Sequence, residues 1–304
     1  KNPVVDIAMP DPTVIKAADG YFYMYATEST RNVPIMKSKD LVQWTYCNTA
    51  FTNKTRPRFE PKAGIWAPDI NYINGKYVLY YAMSVWGGEQ TCGIGVATAN
   101  SPQGPFTDHG KMFRSNEIGV QNSIDPSLLQ YEGRNYLVWG SFRGIYVIEL
   151  TADGLSIMPG AKKKRIAGTA FEAVYIHKYG DYYYMFASIG SCCQGVKSTY
   201  KVVVGRSKKV WGPYKDKTGK PMLKNGYSLV IGANDHFVGN GHGSQIIRDD
   251  AGQDWLLYHG FSRSIPENGR ILLLDQIKWD QEGWPYVEGG SPSYETQKAP
   301  VFNN

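Results

Sequence analysis

The sequence has few cysteines and no long apolar run, and each shortage excludes a class of protein. Its 304 residues include four cysteines, Cys47, Cys92, Cys192 and Cys193. Their spacing does not match a zinc site, and the adjacency of two of them argues against a regular disulfide framework. We therefore expect buried or loop thiols. No apolar stretch approaches the ~20 residues that span a bilayer, so we expect no membrane span.

An excess of one charge is also lacking. Thirty-three Lys and Arg residues against 27 Asp and Glu give a net charge of +6. The one basic run, Lys162–Arg165, is interpreted as a solvated loop between repeats. Because nucleic-acid binding needs a clustered basic face, we expect no nucleic-acid partner.

The sequence does contain a degenerate fivefold repeat. Its segments begin at Asp11, Asp69, Asp125, Glu172 and His242, and each is followed by a turn glycine and a short aromatic run. These aromatic and β-branched runs predict strands, and no amphipathic helix of useful length is found. Propeller blades of four strands repeat every ~40–50 residues plus insertions. The sequence therefore predicts an all-β, five-bladed β-propeller that forms a single domain over residues 1–304.

The first positions of the repeats are mostly carboxylates. In a propeller the inner strands line a central channel, so these side chains should ring one mouth of it. One protonated and one ionised carboxyl on either side of a bound sugar can hydrolyse a glycosidic bond, and a third can raise the pKa of the acid. Asp11, Asp125 and Glu172 fit these roles. The alternative is that Asp before Pro is simply a common turn residue.

Several motifs, in order along nearly the whole chain, resemble glycoside hydrolase family 43. They are Met9-Pro-Asp11-Pro, Trp66-Ala-Pro-Asp69, Asn122-Ser-Ile-Asp125, Trp139-Gly-Ser-Phe142, Phe171-Glu172-Ala and Gly241-His242-Gly-Ser. The resemblance implies a five-bladed propeller that hydrolyses its substrate in one step with inversion of configuration. It also implies that Asp11 is the general base, Glu172 the general acid, and Asp125 the residue that orients the acid and tunes its pKa.

Within that family, the segments Tyr80–Trp86 and Gly93–Ala99 resemble the endo-1,5-α-L-arabinanases, which cut α-1,5-linked arabinan. The sequence departs from them at Pro10, where arabinanases usually carry His, in the Arg56–Pro61 insertion and in the Cys192–Cys193 loop. Endo versus exo action is therefore open. The alternatives are a β-xylosidase or α-L-arabinofuranosidase of the same family and a non-catalytic carbohydrate-binding propeller.

The resemblance also indicates substrate-binding residues. Trp86 resembles an aromatic platform that stacks on a sugar, with a core ring as the alternative. Asn122 and Ser141 resemble positions near the bound sugar, and Trp66, three residues before Asp69, is expected to face the cleft. Asp69 is interpreted as a wall of the site or a structural turn residue.

Two residues of the fifth repeat complete the predicted site. Arg270 reaches the sugar or forms a surface ion pair. His242 resembles the histidine that holds an ion in the channel, for which we expect calcium with mostly water ligands, or water alone. No other cofactor is expected.

The expected function also bears on location and partners. The sequence starts at Lys1 rather than Met, so we expect that an N-terminal segment, such as a secretory signal, was removed. With a plant cell-wall polysaccharide as the substrate, we expect a secreted or periplasmic monomer.

Overall fold

The structure is a computed structural model that describes residues 1–303. In chain order its strands are β1 (Val5–Ala8), β2 (Thr13–Lys16), β3 (Phe22–Tyr25), β4 (Pro34–Ser38), β5 (Thr45–Thr49), β6 (Gly64–Ile73), β7 (Lys76–Ser84), β8 (Gly93–Ala99), β9 (Thr107–Arg114), β10 (Ser127–Tyr131), β11 (Arg134–Trp139), β12 (Ile145–Leu150), β13 (Lys164–Ala167), β14 (Glu172–Tyr179), β15 (Tyr182–Ile189), β16 (Lys201–Ser207), β17 (Ser228–Ile231), β18 (Phe237–Gly241), β19 (Ile247–Arg248), β20 (Asp254–Ser262), β21 (Ile271–Trp279) and β22 (Pro285–Tyr286).

These strands form five antiparallel sheets, and the predicted five-bladed β-propeller is confirmed. Strands β2 to β5 form blade 1, β6 to β9 blade 2, β10 to β13 blade 3, and β14 to β17 blade 4. Blade 5 has the order β18-β20-β21-β1, with β19 paired to β20 and β22 to β21.

Helical structure is limited to single turns in the described part of the chain. The α-helix α1 (Ser115–Ile118) is joined by 3₁₀ turns at Gly195–Lys197, Met222–Lys224, Pro266–Asn268 and Glu288–Gly290. Within residues 1–303, no helix has the length and apolar character needed to cross a membrane.

The ring is closed by pairing the two ends of the propeller. Strand β1, near the N-terminus, is the outer strand of blade 5, with Val5 opposite Leu272 and Ala8 opposite Ile271 in β21. Backbone hydrogen bonds therefore hold the N-terminal segment, which leads directly into blade 1, within blade 5.

Aromatic side chains fill the spaces between neighbouring blades. Between blades 1 and 2, Tyr25, Phe51 and Tyr81 are fully buried, and the rings of Phe51 and Tyr81 meet edge to face with centroids 6.1 Å apart. Burying one large apolar side chain contributes about 1.5–3 kcal/mol to folding. This packing between blades fixes their positions around the channel, and hence the positions of the residues at its mouth.

The repeat seen in the sequence is offset by one or two residues in two of the blades. A left-handed backbone marks one position in every blade, at Asp11 (φ 56°), Ala67 (φ 40°), Asp125 (φ 58°), Ala173 (φ 56°) and His242 (φ 54°). Asp69 lies two residues after this position and Glu172 one residue before it. The prediction that five equivalent positions carry the site residues is therefore wrong for these two, because bulges in β6 and β14 shift the register.

Only part of the basic run lies in a loop, as the sequence interpretation had it. Lys162 and Lys163 are in a loop, whereas Lys164 and Arg165 begin β13, the outer strand of blade 3. The side chains of Lys162–Arg165 are exposed, as expected. Charged side chains are typical of edge strands, where they discourage pairing with another chain.

Candidate active site

One mouth of the channel opens into a cleft of about 610 Å³. It is lined by Asp11 and Thr27 of blade 1, Trp66, Ser84, Val85, Trp86, Gly87 and Glu89 of blade 2, Asn122, Ile124, Asp125, Ser141 and Phe142 of blade 3, Glu172, Gly190, Ser191, Cys192, Cys193 and Gln194 of blade 4, and His242 and Arg270 of blade 5. The three predicted catalytic carboxyls are thus brought together from three blades.

Asp11 is held as a carboxylate by its neighbours. Its Oδ2 accepts a hydrogen bond from Thr27 Oγ1 at 2.6 Å. Its Oδ1 lies 2.9 Å from His242 Nδ1 and 3.2 Å from Arg270 Nη1, which donate to it. Burial would raise the pKa of Asp11, but the charges of Arg270 and then His242 outweigh it and hold the pKa well below its usual value. Asp11 can therefore accept a proton at neutral pH.

Two histidines contact Asp11, and they differ in charge. Burial would lower the pKa of His242, but the charge of Asp11 outweighs it and raises the pKa to about 9. His259 Nδ1 accepts a hydrogen bond from the Asp11 backbone N–H at 3.0 Å, so this nitrogen carries no proton. Its 3.4 Å distance to Asp11 Oδ1 is therefore not an ion pair. Burial, and then the charge of Arg270, hold the pKa of His259 well below its usual value.

Glu172 is positioned by two hydroxyl groups. Ser141 Oγ donates to its Oε1 at 2.6 Å and Tyr200 OH donates to its Oε2 at 2.5 Å. Asn122 Nδ2 donates in turn to Ser141 Oγ at 3.0 Å. Asn122 and Ser141, predicted near the sugar, both line the cleft, and their hydrogen bonds also fix the carboxyl of Glu172.

Asp125 and Glu172 form a buried acidic pair. Burial and then the charge of Glu172 raise the pKa of Asp125 to about 8, while its Oδ2 accepts a bond from the Ala173 N–H at 3.1 Å. Burial raises the pKa of Glu172 as well, against the lowering effect of the Ser141 and Tyr200 hydrogen bonds. Ionising both buried carboxyls would place two negative charges near each other and is energetically unfavourable. The pair therefore retains a proton near neutral pH.

The cleft has an aromatic wall on blade 2. The side chain of Trp86 is 77% exposed, and its ring centroid lies 5.5 Å from that of the half-buried Trp66. The core alternative for Trp86 is therefore excluded. Two large aromatic faces open to solvent within a cleft can pack against the C–H groups of a sugar.

Arg270 and Asp69, the other predicted substrate-binding residues, lie in different places. Arg270 lines the cleft, and its ion pair is with Asp11 rather than on the surface. Asp69 does not line the cleft but lies deeper in the channel. Its Oδ2 accepts from the Leu128 N–H at 2.9 Å and its Oδ1 from Gln245 Nε2 at 3.0 Å, and burial raises its pKa to about 7. The structure favours a structural role for Asp69, joining blades 2, 3 and 5.

Residues 1–285 match the family described as glycosyl hydrolases family 43. The chain belongs to this family. It is 37% identical to an extracellular endo-α-(1→5)-L-arabinanase of Bacillus subtilis, over 90% of this chain and 86% of that protein. It is 36% identical to an extracellular exo-α-(1→5)-L-arabinofuranosidase of Cellvibrio japonicus, over 91% of this chain and 86% of that protein. The structure of a Cellvibrio cellulosa α-L-arabinanase complexed with arabinohexaose superposes with a TM-score of 0.84 at 34% identity, covering 92% of this chain and 95% of the other.

Sequence reasoning missed three residues that contact Asp11 or Glu172 in this family 43 site, namely Thr27, Tyr200 and His259. A signal for Thr27 exists, because a hydroxyl residue stands near the end of the second strand in Tyr25-Ala-Thr27, Trp139-Gly-Ser141 and Phe186-Ala-Ser188. Thr27 Oγ1 accepts from the Ala67 N–H at 2.7 Å, and Ser188 Oγ accepts from the His242 N–H at 2.9 Å. Each hydroxyl thus holds the left-handed residue of the following blade. No comparable repeat marks Tyr200 or His259.

The state of the cysteines differs from the prediction for one pair. Cys192 and Cys193 are joined by a disulfide, with their Cα atoms 3.8 Å apart, whereas Cys47 and Cys92 are free thiols as expected. The Cα separation lies below the range of most disulfides. Adjacent cysteines can bridge only where the local chain is bent into a tight turn, which their sequence spacing does not reveal.

The predicted ion site at His242 does not have the side chains of a calcium shell. Among residues 1–303, no group of three or more His, Cys, Asp or Glu side chains is arranged to hold a metal ion. Calcium takes ~6–8 oxygen ligands. His242 offers none, and its Nδ1 lies 2.9 Å from Asp11 Oδ1. No step of the chemistry is therefore assigned to an ion.

Proposed function

We propose that this glycoside hydrolase cleaves α-1,5-linked arabinan within the chain, in a single step with inversion of configuration. The observation that carries the proposal is that carboxyls with contrasting surroundings meet in one cleft. Asp11 lies against Arg270 and His242, which favour its ionised form, while Asp125 and Glu172 are buried, which favours a retained proton on this pair. An inverting glycosidase needs one ionised and one protonated carboxyl at the same time.

In the proposed reaction Asp11 takes a proton from a water molecule as that water attacks the anomeric carbon. Glu172 gives its proton to the glycosidic oxygen as the bond to the anomeric carbon breaks. The products are one chain with a new reducing end and one with a new hydroxyl group. Asp11 is then protonated and Glu172 ionised, and exchange with solvent restores both.

The remaining polar groups of the cleft set the geometry of these two carboxyls. Ser141 and Tyr200 fix the direction of Glu172, and burial of Asp125 and Glu172 together keeps a proton on this pair. Arg270 and His242 stabilise the charge on Asp11 before it accepts the proton. Such groups positioned before reaction avoid the cost of reorganising solvent.

Cleavage within the chain is supported by the spread of the lining residues. The cleft is lined by residues of all five blades, which include Trp86 of blade 2, Gln194 of blade 4 and the three acidic residues. This arrangement suits a substrate with sugars on both sides of the bond that is cut. The B. subtilis relative is described as endo-acting and the C. japonicus relative as exo-acting. Exo action is therefore the main alternative outcome.

Product analysis tests this proposal. Incubation with linear α-1,5-arabinan is expected to give mixed arabino-oligosaccharides at early times, with little release from arabinoxylan or from aryl xylosides. Arabinose alone would contradict cleavage within the chain. Activity only on xylose-containing substrates would contradict the assigned sugar, and no activity on any of them would favour a binding propeller.

Secretion and a monomeric, single-domain enzyme are further parts of the proposal. The Cys192–Cys193 disulfide fits an oxidising compartment, and the two relatives described above are named as extracellular. All five blades contribute to one cleft, which supports one chain acting alone as a single catalytic domain. Calcium stays in the proposal only as an ion held through water in the channel beside His242, and elemental analysis of the purified protein measures it.

A further inference from the structure

The Cys192–Cys193 disulfide lies in the wall of the candidate active site. Both cysteines are half-buried and line the same cleft as the three acidic residues. They belong to the loop Gly190–Tyr200 that connects β15 to β16 on blade 4. Cys47 and Cys92, the free thiols, do not line this cleft. The one bridge in the described residues is therefore at the site.

Hydrogen bonds across the loop hold the disulfide in place. The Ser191 N–H donates to Thr199 Oγ1 at 2.9 Å, and the Thr199 N–H donates to Ser191 Oγ at 3.0 Å. The Gln194 N–H donates to Ser198 Oγ at 2.8 Å. Since the disulfide also closes a small covalent ring with the peptide bond between the two cysteines, its sulfur atoms cannot change rotamer as free thiols do.

The end of this loop is tied to the candidate acid. Tyr200, its last residue, donates to Glu172 Oε2 at 2.5 Å. The position of the disulfide is therefore fixed relative to the group that protonates the leaving oxygen. A surface fixed in this way loses little conformational entropy when a ligand binds to it.

The chemistry of the bridge suits the apolar face of a sugar. A disulfide has no strong donor, and its polarizable sulfur atoms pack well against C–H groups. On blade 2, Trp66 and Trp86 offer aromatic faces to the same cleft. Without the bridge, the blade-4 wall would present mainly the polar groups of Ser191 and Gln194.

We propose that the Cys192–Cys193 disulfide is a substrate-contacting surface, an apolar platform for one arabinosyl unit on the blade-4 side of the cleft. It adds affinity for a chain that occupies several subsites, and takes no part in proton transfer. This inference rests on the proposed function, because it assumes an arabinan chain in the cleft.

The double variant Cys192→Ser, Cys193→Ser tests the platform. Hydrolysis of arabinohexaose is expected to show a KM about tenfold higher, with a smaller change in kcat. On an aryl α-L-arabinofuranoside, which carries one sugar, kcat/KM is expected to fall less than on the hexaose. Cys47→Ser, which changes a thiol outside the cleft, is the matched control and should leave both substrates unaffected.

Reduction of the wild-type protein gives a second readout that does not depend on folding of the variant. Dithiothreitol treatment is expected to raise KM for the hexaose, as the double variant does. Mass spectrometry counts the two new thiols. An unchanged KM in a protein that cleaves arabinan would overturn the platform and leave the proposed function intact. An equal loss of kcat on both substrates would show that the bridge acts only by positioning Tyr200 and Glu172. If the wild-type protein neither binds nor cleaves arabinan, the proposed function itself fails, and the platform with it.

Discussion

Glu172→Ala is expected to hydrolyse linear α-1,5-arabinan about 10²–10⁴-fold more slowly than the wild-type protein, the range for loss of a positioned acid. The arabinosyl leaving group is a poor one without protonation, and Glu172 is the carboxyl that Ser141 and Tyr200 hold in the cleft. The measurement is kcat on the polysaccharide from reducing-end release. An aryl arabinofuranoside with an acidic phenol should lose much less activity, because its leaving group needs no proton.

The pH profile separates this role from a general loss of structure. In the wild-type protein, kcat/KM requires Asp11 ionised and the acidic pair singly protonated. The lowered pKa of Asp11 places the acid limb of the profile below the usual carboxyl range. The pKa of Asp125 is raised to about 8 and that of Glu172 is also raised, so activity should be lost on the alkaline side. On the aryl substrate, Glu172→Ala should lack that alkaline limb.

A matched control for this variant is Glu117→Ala on α1, whose partner is Lys111 outside the cleft. It should keep wild-type activity on both substrates. Near-wild-type turnover of arabinan by Glu172→Ala, or equal losses on the polysaccharide and the aryl substrate, would contradict the assignment of the acid.

Asp11→Asn is expected to abolish most hydrolysis of both polysaccharide and aryl substrates, again by about 10²–10⁴-fold. Every substrate needs the attacking water to be deprotonated, so a good leaving group should not rescue this variant. Asparagine keeps the shape of the side chain, and the neighbouring His242 can lose its proton once the charge of Asp11 is gone. Binding of arabinohexaose, measured by calorimetry, should remain detectable.

Asp6→Asn on the exposed face of β1 is the control for Asp11→Asn and should leave activity unchanged. The contrary outcome is a variant that keeps turnover on the aryl substrate. This would show that another group activates the water. The opposite substrate dependence of the Glu172 and Asp11 variants is the pattern that identifies an acid and a base.

Much of the fold could be predicted from the sequence because each blade repeats the same local signals. The aromatic second strands Phe22–Tyr25, Lys76–Ser84 and Tyr182–Ile189 lie where short apolar runs follow turn glycines. The contribution of β1 to blade 5 was not predictable in this way. It pairs with β21, which is more than 250 residues away along the chain, and nothing in Val5–Ala8 itself indicates its partner.

The site shows the same division between local and long-range information. Asp11 and Asp125 both stand before proline, so the repeated Asp-Pro motif marks them as equivalent positions, and both have a left-handed backbone in the structure. Tyr200 and His259 reach the carboxyls through packing between blades, so their roles depend on the assembled ring. The shift of Asp69 into the channel arises from a bulge, and a bulge of one residue moves a side chain without a clear mark in the sequence.

The anomeric configuration of the first product tests the central claim most directly. Proton NMR of arabinohexaose digestion, recorded before mutarotation, is expected to show the β-anomer at the new reducing end first. This is the result of direct attack by a water molecule that Asp11 activates on the face opposite the leaving group. First appearance of the α-anomer would mean a covalent intermediate, and would contradict the roles assigned to Asp11 and Glu172.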